Sequence, residues 1–358
     1  MRLSNVKNAI QAMLIHNYNL GDTANKQDYL IPYMNGGVGI GKTSVVYQLL
    51  SDELIVKSVK KMFPDFKGDE LGLINFSLAQ YDPSEIAGWL VASKDGETMK
   101  RLRPSFMPLD GYGIIFVDEV AQATLMSMNI LGQLVDERRL GEHYLPKGWM
   151  VVSAGNRLSD RAGSNKLPSQ LRDRFTYLDV EANTDDVLEY YAKNGVDHRI
   201  NSWLKFDDQF IHKFDASQDN NSTPRSIERA GVILGLKLDN LTLRGCLDGQ
   251  IGAVASASLM AHIKLHDKLP DFDKIISDPM NTAVPEDRGV LYALCGSLGV
   301  KMTKDNADPI LQYIQRIPEQ EFMAFMLKDA ISRNKTLVQS PAVRQVLGSK
   351  GSLKDLLL

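Results

Sequence analysis

The sequence predicts an α/β fold: three layers, with a parallel sheet between helices, followed by a part built almost wholly of helices. Three observations predict it. Strand-like and helix-like segments alternate over roughly the first two thirds of the chain. A glycine-rich stretch joins an apolar strand to an amphipathic helix. From about Asn183 onward the apolar spacing is helical, with Pro and Gly as punctuation.

Taken in order, Val6 to Leu14 reads as a short helix, placed at residues 5–16. Tyr29 to Met34 is mostly apolar and reads as a buried strand. It leads into Gly36-Gly37-Val38-Gly39-Ile40-Gly41-Lys42-Thr43, which meets the pattern G-x-x-x-x-G-K-[ST] at every fixed position. Such a loop wraps the phosphates of a nucleoside triphosphate in backbone N–H groups. The glycines allow that approach, Lys42 reaches the β- and γ-phosphates, and Thr43 ligates Mg²⁺. Val45, Val46, Leu49 and Leu50 then recur at helical spacing. The positive end of that helix, with Ser44 in its first turn, adds to the phosphate site. ATP and Mg²⁺ are therefore the expected ligands, although base recognition is not readable from these loops and GTP stays open.

Gly113 to Glu119 is an apolar strand ending in two carboxylates. At the carboxyl end of a buried parallel strand, Asp118 is suited to orient the metal and Glu119 to polarise an attacking water. Gly148 to Asn156 is a further buried strand. Asn156 at its tip is suited to hold that water or touch the γ-phosphate, although an Asn after a Gly is by itself an ordinary turn signal. Arg172 and Arg174 precede a last strand from Phe175 to Val180. Spacing alone leaves open whether one of them reaches a neighbouring subunit's nucleotide or the Arg-Asp-Arg cluster is merely solvated.

Composition narrows the classes. The chain has 358 residues, 44% hydrophobic and 24% charged, as expected of a globular protein with a substantial core. A net charge of −3 does not point to nucleic acid or an acidic membrane. No apolar run approaches transmembrane length and no signal-peptide core begins the chain, so a cytoplasmic protein is expected. The two cysteines, Cys246 and Cys295, lie far apart and outside metal spacing, which reads as reduced core thiols.

With the glycine loop, the acidic strand end, the Asn-tipped strand and the arginine pair in that order, the chain resembles an AAA+ ATPase. It resembles the MoxR-type branch in particular. Residues 25–265 carry the resemblance. Gln80 to Trp89 is similar to the segment that enters that branch's second-helix insertion, taken here as residues 83–108. An Asp95-Gly96 turn suits a hairpin tip there. Residues 138–149 resemble the hairpin before the Asn-tipped strand. Thr223 to Arg229 resembles the start of the lid helix. The resemblance implies a nucleotide-binding domain over 1–182 and a helical lid over 183–265, and the helix-like runs of 266–358 read as a helical extension. It makes Asn156 the first sensor, Arg174 the arginine finger with Arg172 as its competitor, and Arg225 the second sensor. One departure stands out: the family often has Pro in its loop, and Gly36 to Lys42 has none.

The resemblance also implies a ring, usually a hexamer, with each site between two subunits. It implies a client protein that is remodelled, often with a partner bearing a von Willebrand factor A domain, and an origin in bacteria or their phages. Trp89 and the hairpin tip Lys94 to Glu97 are candidates to grip the client, against an even expectation that Trp89 is buried. The competing reading is a nucleic-acid motor or nuclease-coupled translocase, using Lys100-Arg101-Leu102-Arg103 and Arg138-Arg139. A slow nucleotide-dependent assembly scaffold would keep the same site residues. The Met and Phe residues of 319–326 read as core.

Overall fold

A computed structural model describes residues 1–20, 25–160 and 165–348; residues 349–358 of the expected helical extension lie outside the described residues. The chain forms two compact units, Met1–Glu181 and Ala182–Leu358.

The first unit runs α1 (Leu3–Tyr18), β1 (Pro32–Gly36), α2 (Lys42–Leu50), α3 (Glu53–Met62), β2 (Gly72–Ser77) and α4 (Pro83–Ala87). It continues with β3 (Leu90–Ala92), β4 (Met99–Arg101), β5 (Gly113–Asp118), α5 (Leu125–Glu137), β6 (Arg139–Leu140) and β7 (His143–Tyr144). It ends with β8 (Trp149–Gly155), α6 (Ser169–Arg172) and β9 (Thr176–Val180). Five strands form one sheet in the order β2-β5-β8-β1-β9, and every pairing is parallel. The central strands are buried on both faces, which is why they read as continuous apolar runs. One face, with Tyr33, Ile115, Val117 and Val151, packs on Met128, Leu131 and Leu134 of α5. Met34, Ile114, Phe116 and Val152 are also fully buried, as are Val6, Ile10 and Leu14 of α1, which packs beside α2 and α3.

The first strand begins at Pro32 rather than Tyr29, because a short helical turn at Lys26–Asp28 precedes it and Pro can open a strand but not donate within one. The segment after Asp82 is a capped helical turn, α4, followed by the β3–β4 hairpin. Asp82 and Glu85 form the capping box of α4, with Pro83 at its first position. The second hairpin is only two residues per strand, Arg139–Leu140 against His143–Tyr144.

The second unit is helical: α7 (Thr184–Lys193), α8 (His198–Phe206), α9 (Pro224–Leu234), α10 (Asn240–Ile251) and α11 (Ala253–Ile263). After these come α12 (Phe272–Ser277), α13 (Arg288–Lys301), α14 (Ala307–Ile314), α15 (Gln320–Arg333) and α16 (Pro341–Gly348). Most open on a side-chain cap from Asn183, Asp197, Thr223, Asp239, Asp271 or Asp287, which takes up otherwise orphaned N–H groups. Helices on both sides of residue 265 share one apolar core, with Trp203, Leu259, Leu294, Phe322 and Met326 fully buried in it. Phe322, Phe325 and Met326 are core, as their spacing implies. Cys295 is buried as expected, but Cys246 is exposed on α10, so the reading of both thiols as core holds for one only. Its helix buries just Leu247 and Ile251. Among the described residues, no helix is long and apolar enough to cross a membrane.

Candidate nucleotide site

The site begins where β1 leaves the sheet. Gly39 at φ 72° and Gly41 at φ 101° take left-handed conformations that side chains disfavour, which lets the loop fold back without the Pro of the family pattern. Gly41 is the N-cap of α2 and supplies no side-chain cap, so the helix does not close its own first turn with a side chain. An anion of phosphate chemistry suits that opening.

Lys42 is buried at 8% exposure despite its charge. Its ammonium donates to Gly36 O at 2.7 Å, Gly37 O at 3.0 Å and Asn156 Oδ1 at 2.9 Å. Thr43 Oγ1 donates to Asp118 Oδ2 at 3.3 Å. Asp118 Oδ1 accepts from the Glu119 N–H at 2.8 Å. The strand order accounts for this gathering. Because β1, β8, β5 and β2 are parallel neighbours, their carboxyl ends fall in one row, carrying Gly36, Asn156, Asp118 and Ser77.

Glu119 is the most constrained of these residues. It sits at φ 55°, one of two non-glycine residues with positive φ among the described residues, and such strain gathers at functional sites. Its carboxylate accepts a hydrogen bond from Ser77 Oγ. Ser77 is the last residue of β2 and pairs with Asp118 in register. Sequence reasoning missed Ser77; the signal was an apolar run from Leu71 to Phe76 ending in a hydroxyl. Beneath the loop, Tyr33 is packed so closely on Gly155 that a Cβ there would lie 2.1 Å from its hydroxyl. Burial pushes the Tyr33 phenol well above its usual range.

The oxygen donors fit a hard divalent cation. Thr43 and Asp118 offer a hydroxyl and a carboxylate side by side. Among the described residues no cluster of three or more His, Cys, Asp or Glu forms a site of its own. Mg²⁺ is commonly held in this way, by one or two protein oxygens with substrate phosphates and water.

Arg172 and Arg174 make their contacts outside this cluster. Arg174 pairs with Asp136 of α5 at 3.2 Å and fills the space left by Gly132, where a Cβ would lie 2.9 Å from its Nη1. Arg172 covers the Tyr177 ring at 5.0 Å. Neither makes a hydrogen bond or ion pair to Asp118 or Glu119. Arg225 is exposed at the start of α9 in the second unit, one turn from Glu228. Burial raises the Glu228 carboxyl above its usual range, while Arg225 and Arg229 oppose that shift.

The insertion hairpin exposes its apolar residues: Trp89 is 60% exposed and Met99 64%. This decides the open question about Trp89 against burial. The basic stretches are largely engaged locally. Arg101 donates to Gly88 O, Arg103 to Pro108 O, and Arg139 pairs with Glu137. Arg138 is buried, donating to Trp149 O at 2.8 Å and lying over Tyr29, so it is no part of a charged groove.

No family model and no curated protein matches the chain. Among solved structures, a point mutant of Thermotoga maritima RuvB is 16% identical, with 87% of each chain covered and a TM-score of 0.39. NtrX from Brucella abortus in complex with ADP is 13% identical over 99% of this chain and 68% of that one, with a TM-score of 0.37. A candidate ATPase from Cytophaga hutchinsonii is 12% identical over 98% of this chain and 88% of that one, with a TM-score of 0.35. The site rests on its own geometry: a glycine loop, a buried lysine, and two consecutive carboxylates at the end of β5.

Proposed function

We propose that this chain is a Mg²⁺-dependent AAA+ ATPase of the MoxR type. In this reading it hydrolyses ATP at sites between subunits of a ring, a hexamer in the family pattern, to remodel a client protein in the cytoplasm. The observation that carries the reading is the buried Lys42 ammonium shared between the loop carbonyls and Asn156, beside the Thr43–Asp118 pair. A von Willebrand factor A domain partner belongs to the same reading.

The residues divide the work as follows. The loop's N–H groups and the first turn of α2 receive the phosphates. Lys42 exchanges its carbonyl partners for β- and γ-phosphate oxygens. That exchange frees the Asn156 amide to orient a water. Glu119, released from Ser77, takes the water's proton as general base. Thr43 and Asp118 would hold Mg²⁺, which would supply charge neutralisation on the phosphates. Arg174 supplies a second positive charge to the neighbouring subunit's γ-phosphate once its pairing with Asp136 opens. Arg225 closes the helical lid on the nucleotide.

Mixing Arg174→Ala with Lys42→Ala subunits tests the ring. Each variant alone is expected to be inactive, and mixed rings are expected to recover part of the activity. Mixed rings confirmed by mass that stay inactive overturn the inter-subunit assignment. The nucleic-acid motor is the weaker reading because Arg101, Arg103, Arg138 and Arg139 are already bound within the unit. Turnover unchanged by DNA across a salt series is expected; stimulation that fades with salt would favour the motor.

A further inference from the structure

Asn156 and Arg157 are the first two residues beyond β8, and their side chains make contacts on different parts of the sheet edge. Asn156 Oδ1 accepts from Lys42 Nζ at 2.9 Å. Arg157 Nη2 donates to Val180 O at 2.5 Å and lies 4.0 Å from Glu181 Oε1. Strand β1 lies between β8 and β9, so Arg157 must span the end of β1 to reach Val180. Gly36, the last residue of β1, is the register partner of Val180. A Cβ at Gly36 would lie 3.1 Å from Val180 O. Lys42 holds Gly36 O on the same residue at 2.7 Å. The root of the phosphate loop is therefore held twice, once through Lys42 and Asn156 and once through Val180 and Arg157.

The anchor point is itself fixed. Asn35 Nδ2 donates to Asp179 Oδ1 at 2.6 Å, and the Met1 ammonium donates to Asp179 O at 2.6 Å. By contrast Asn156 lies past the last ladder residue of its strand, Gly155, where the sheet no longer fixes the backbone. An amide that orients a reacting water needs such fixing, since a displacement of about 1 Å at a catalytic group can slow a reaction by about a hundredfold. A guanidinium on a carbonyl is a strong, directional tie.

We infer that Arg157 is a positioning residue: it ties the chain beyond β8 to the end of β9 and so fixes where the Asn156 amide stands at the site. This rests on the ATPase reading of the site. The test is a double-mutant cycle in the full-length protein, with Arg157→Ala, Asn156→Ala and both together, read by steady-state ATP hydrolysis and by fluorescent-nucleotide binding. Arg157→Ala is expected to lower kcat by about tenfold while KM and nucleotide affinity stay within about twofold. Adding it to Asn156→Ala is expected to slow the reaction little further, because both changes remove one interaction. Arg157→Lys, which keeps a donor for Val180 O, is expected to recover part of the rate.

Additive losses in the cycle overturn the inference, as does unchanged kcat. A fall in nucleotide affinity matching the fall in kcat also overturns it, because Arg157 would then touch the nucleotide itself. If Arg157→Ala does not fold, Arg157→Lys and Glu181→Gln carry the same cycle at smaller amplitude. A wild-type chain that binds ATP without hydrolysing it sinks the ATPase reading instead, and is distinguished by being measured first.

Discussion

Each unit holds a cluster of polar side chains, and the two clusters are set in opposite ways. In Met1–Glu181 one gathers at the open ends of parallel strands, where buried Lys42 and half-buried Asn156, Asp118, Glu119 and Ser77 hold one another through bonds that a ligand can replace. In Ala182–Leu358 the other lies inside the helical core. Asn201 donates to Asp329 Oδ1 at 2.6 Å, Arg333 donates to Asp329 Oδ2 at 2.8 Å, and Ser202 meets His262 Nε2 at 2.9 Å. His198 and His262 each pack edge-on against His266, at 5.5 and 6.0 Å between ring centres. The difference teaches that buried polarity reads as chemistry where the topology leaves it open to a ligand. Where helices enclose it, it reads as a constraint on packing.

The largest expected effect breaks the first cluster alone. Glu119→Gln keeps the shape and the Ser77 contact but removes the base. Turnover is expected to fall by about a thousandfold with nucleotide binding retained. Steady-state hydrolysis and a binding titration on the same preparation check this. A variant that keeps a third or more of the wild-type rate would return Glu119 to the role of a strained strand end.

The next effect breaks the second cluster. Asp329→Ala removes the buried carboxylate that Arg333 and the Asn201 amide share, leaving Arg333 with Val196 O and Asn201 with the longer bond to Leu188 O. The helical unit is expected to lose about 3 kcal/mol of stability. Denaturant unfolding followed by the fluorescence of buried Trp203 measures it. Nucleotide affinity of the folded protein is expected to be unchanged. A loss of affinity without a loss of stability would show that Asp329 serves the nucleotide site and would end the contrast.

Legibility followed the same division. The strands around the site were readable because a central parallel strand is buried on both sides and its sequence is almost wholly apolar, as in Gly113 to Val117. The loop was readable because a phosphate cradle needs glycine at fixed spacing, and Gly39 and Gly41 have the φ values that explain why. Ser77 and Arg157 were missed, since each matters through register with a strand distant in sequence: Ser77 with Asp118, and Arg157 through the Gly36–Val180 pair. Trp89 was undecided because an aromatic at the foot of a short hairpin has no periodicity to place it. In the helical unit, helices were legible from spacing, but which face of α10 is buried was not. That is why Cys246 was misplaced.

Acid gives a smaller and graded test. Burial holds His262 and His266 down to about 4, below the ordinary imidazole value, and His198 is also lowered. The groups that face them are Asp197, Arg199, Asp267, Asp329 and Arg333. A neutral buried imidazole has a lower pKa folded than unfolded, so the unfolded state binds more protons below about 6.5. The stabilisation is therefore fully present above about 6.5 and is lost as the pH falls toward about 4. For His262 the loss amounts to roughly 3 kcal/mol, and for the more exposed His266 to less. Stability measured between pH 7 and 4 is expected to fall less steeply in His262→Asn than in the wild type. Equal slopes would remove His262 from the enclosed cluster.

The smallest effect uses the two cysteines as reporters of the enclosure itself. Cys295 is wholly buried in α13, and burial pushes its thiol well up, so it lacks both access and thiolate. Cys246 is exposed on α10. A thiol reagent at pH 8 is expected to modify Cys246 at once and Cys295 only through opening of the helical core, with no change in nucleotide binding. In denaturant both react together. The comparison sharpens with temperature: the Cys295 rate reports how often the enclosure around its core opens, at any temperature where the Cys246 rate stays that of a free thiol. If Cys295 reacts as fast as Cys246 in the native protein, the helical core is open on the timescale of the reagent. His262, Asn201 and Asp329 would then be as accessible to a ligand as Lys42, and the enclosure that separates the two kinds of polar cluster would not exist.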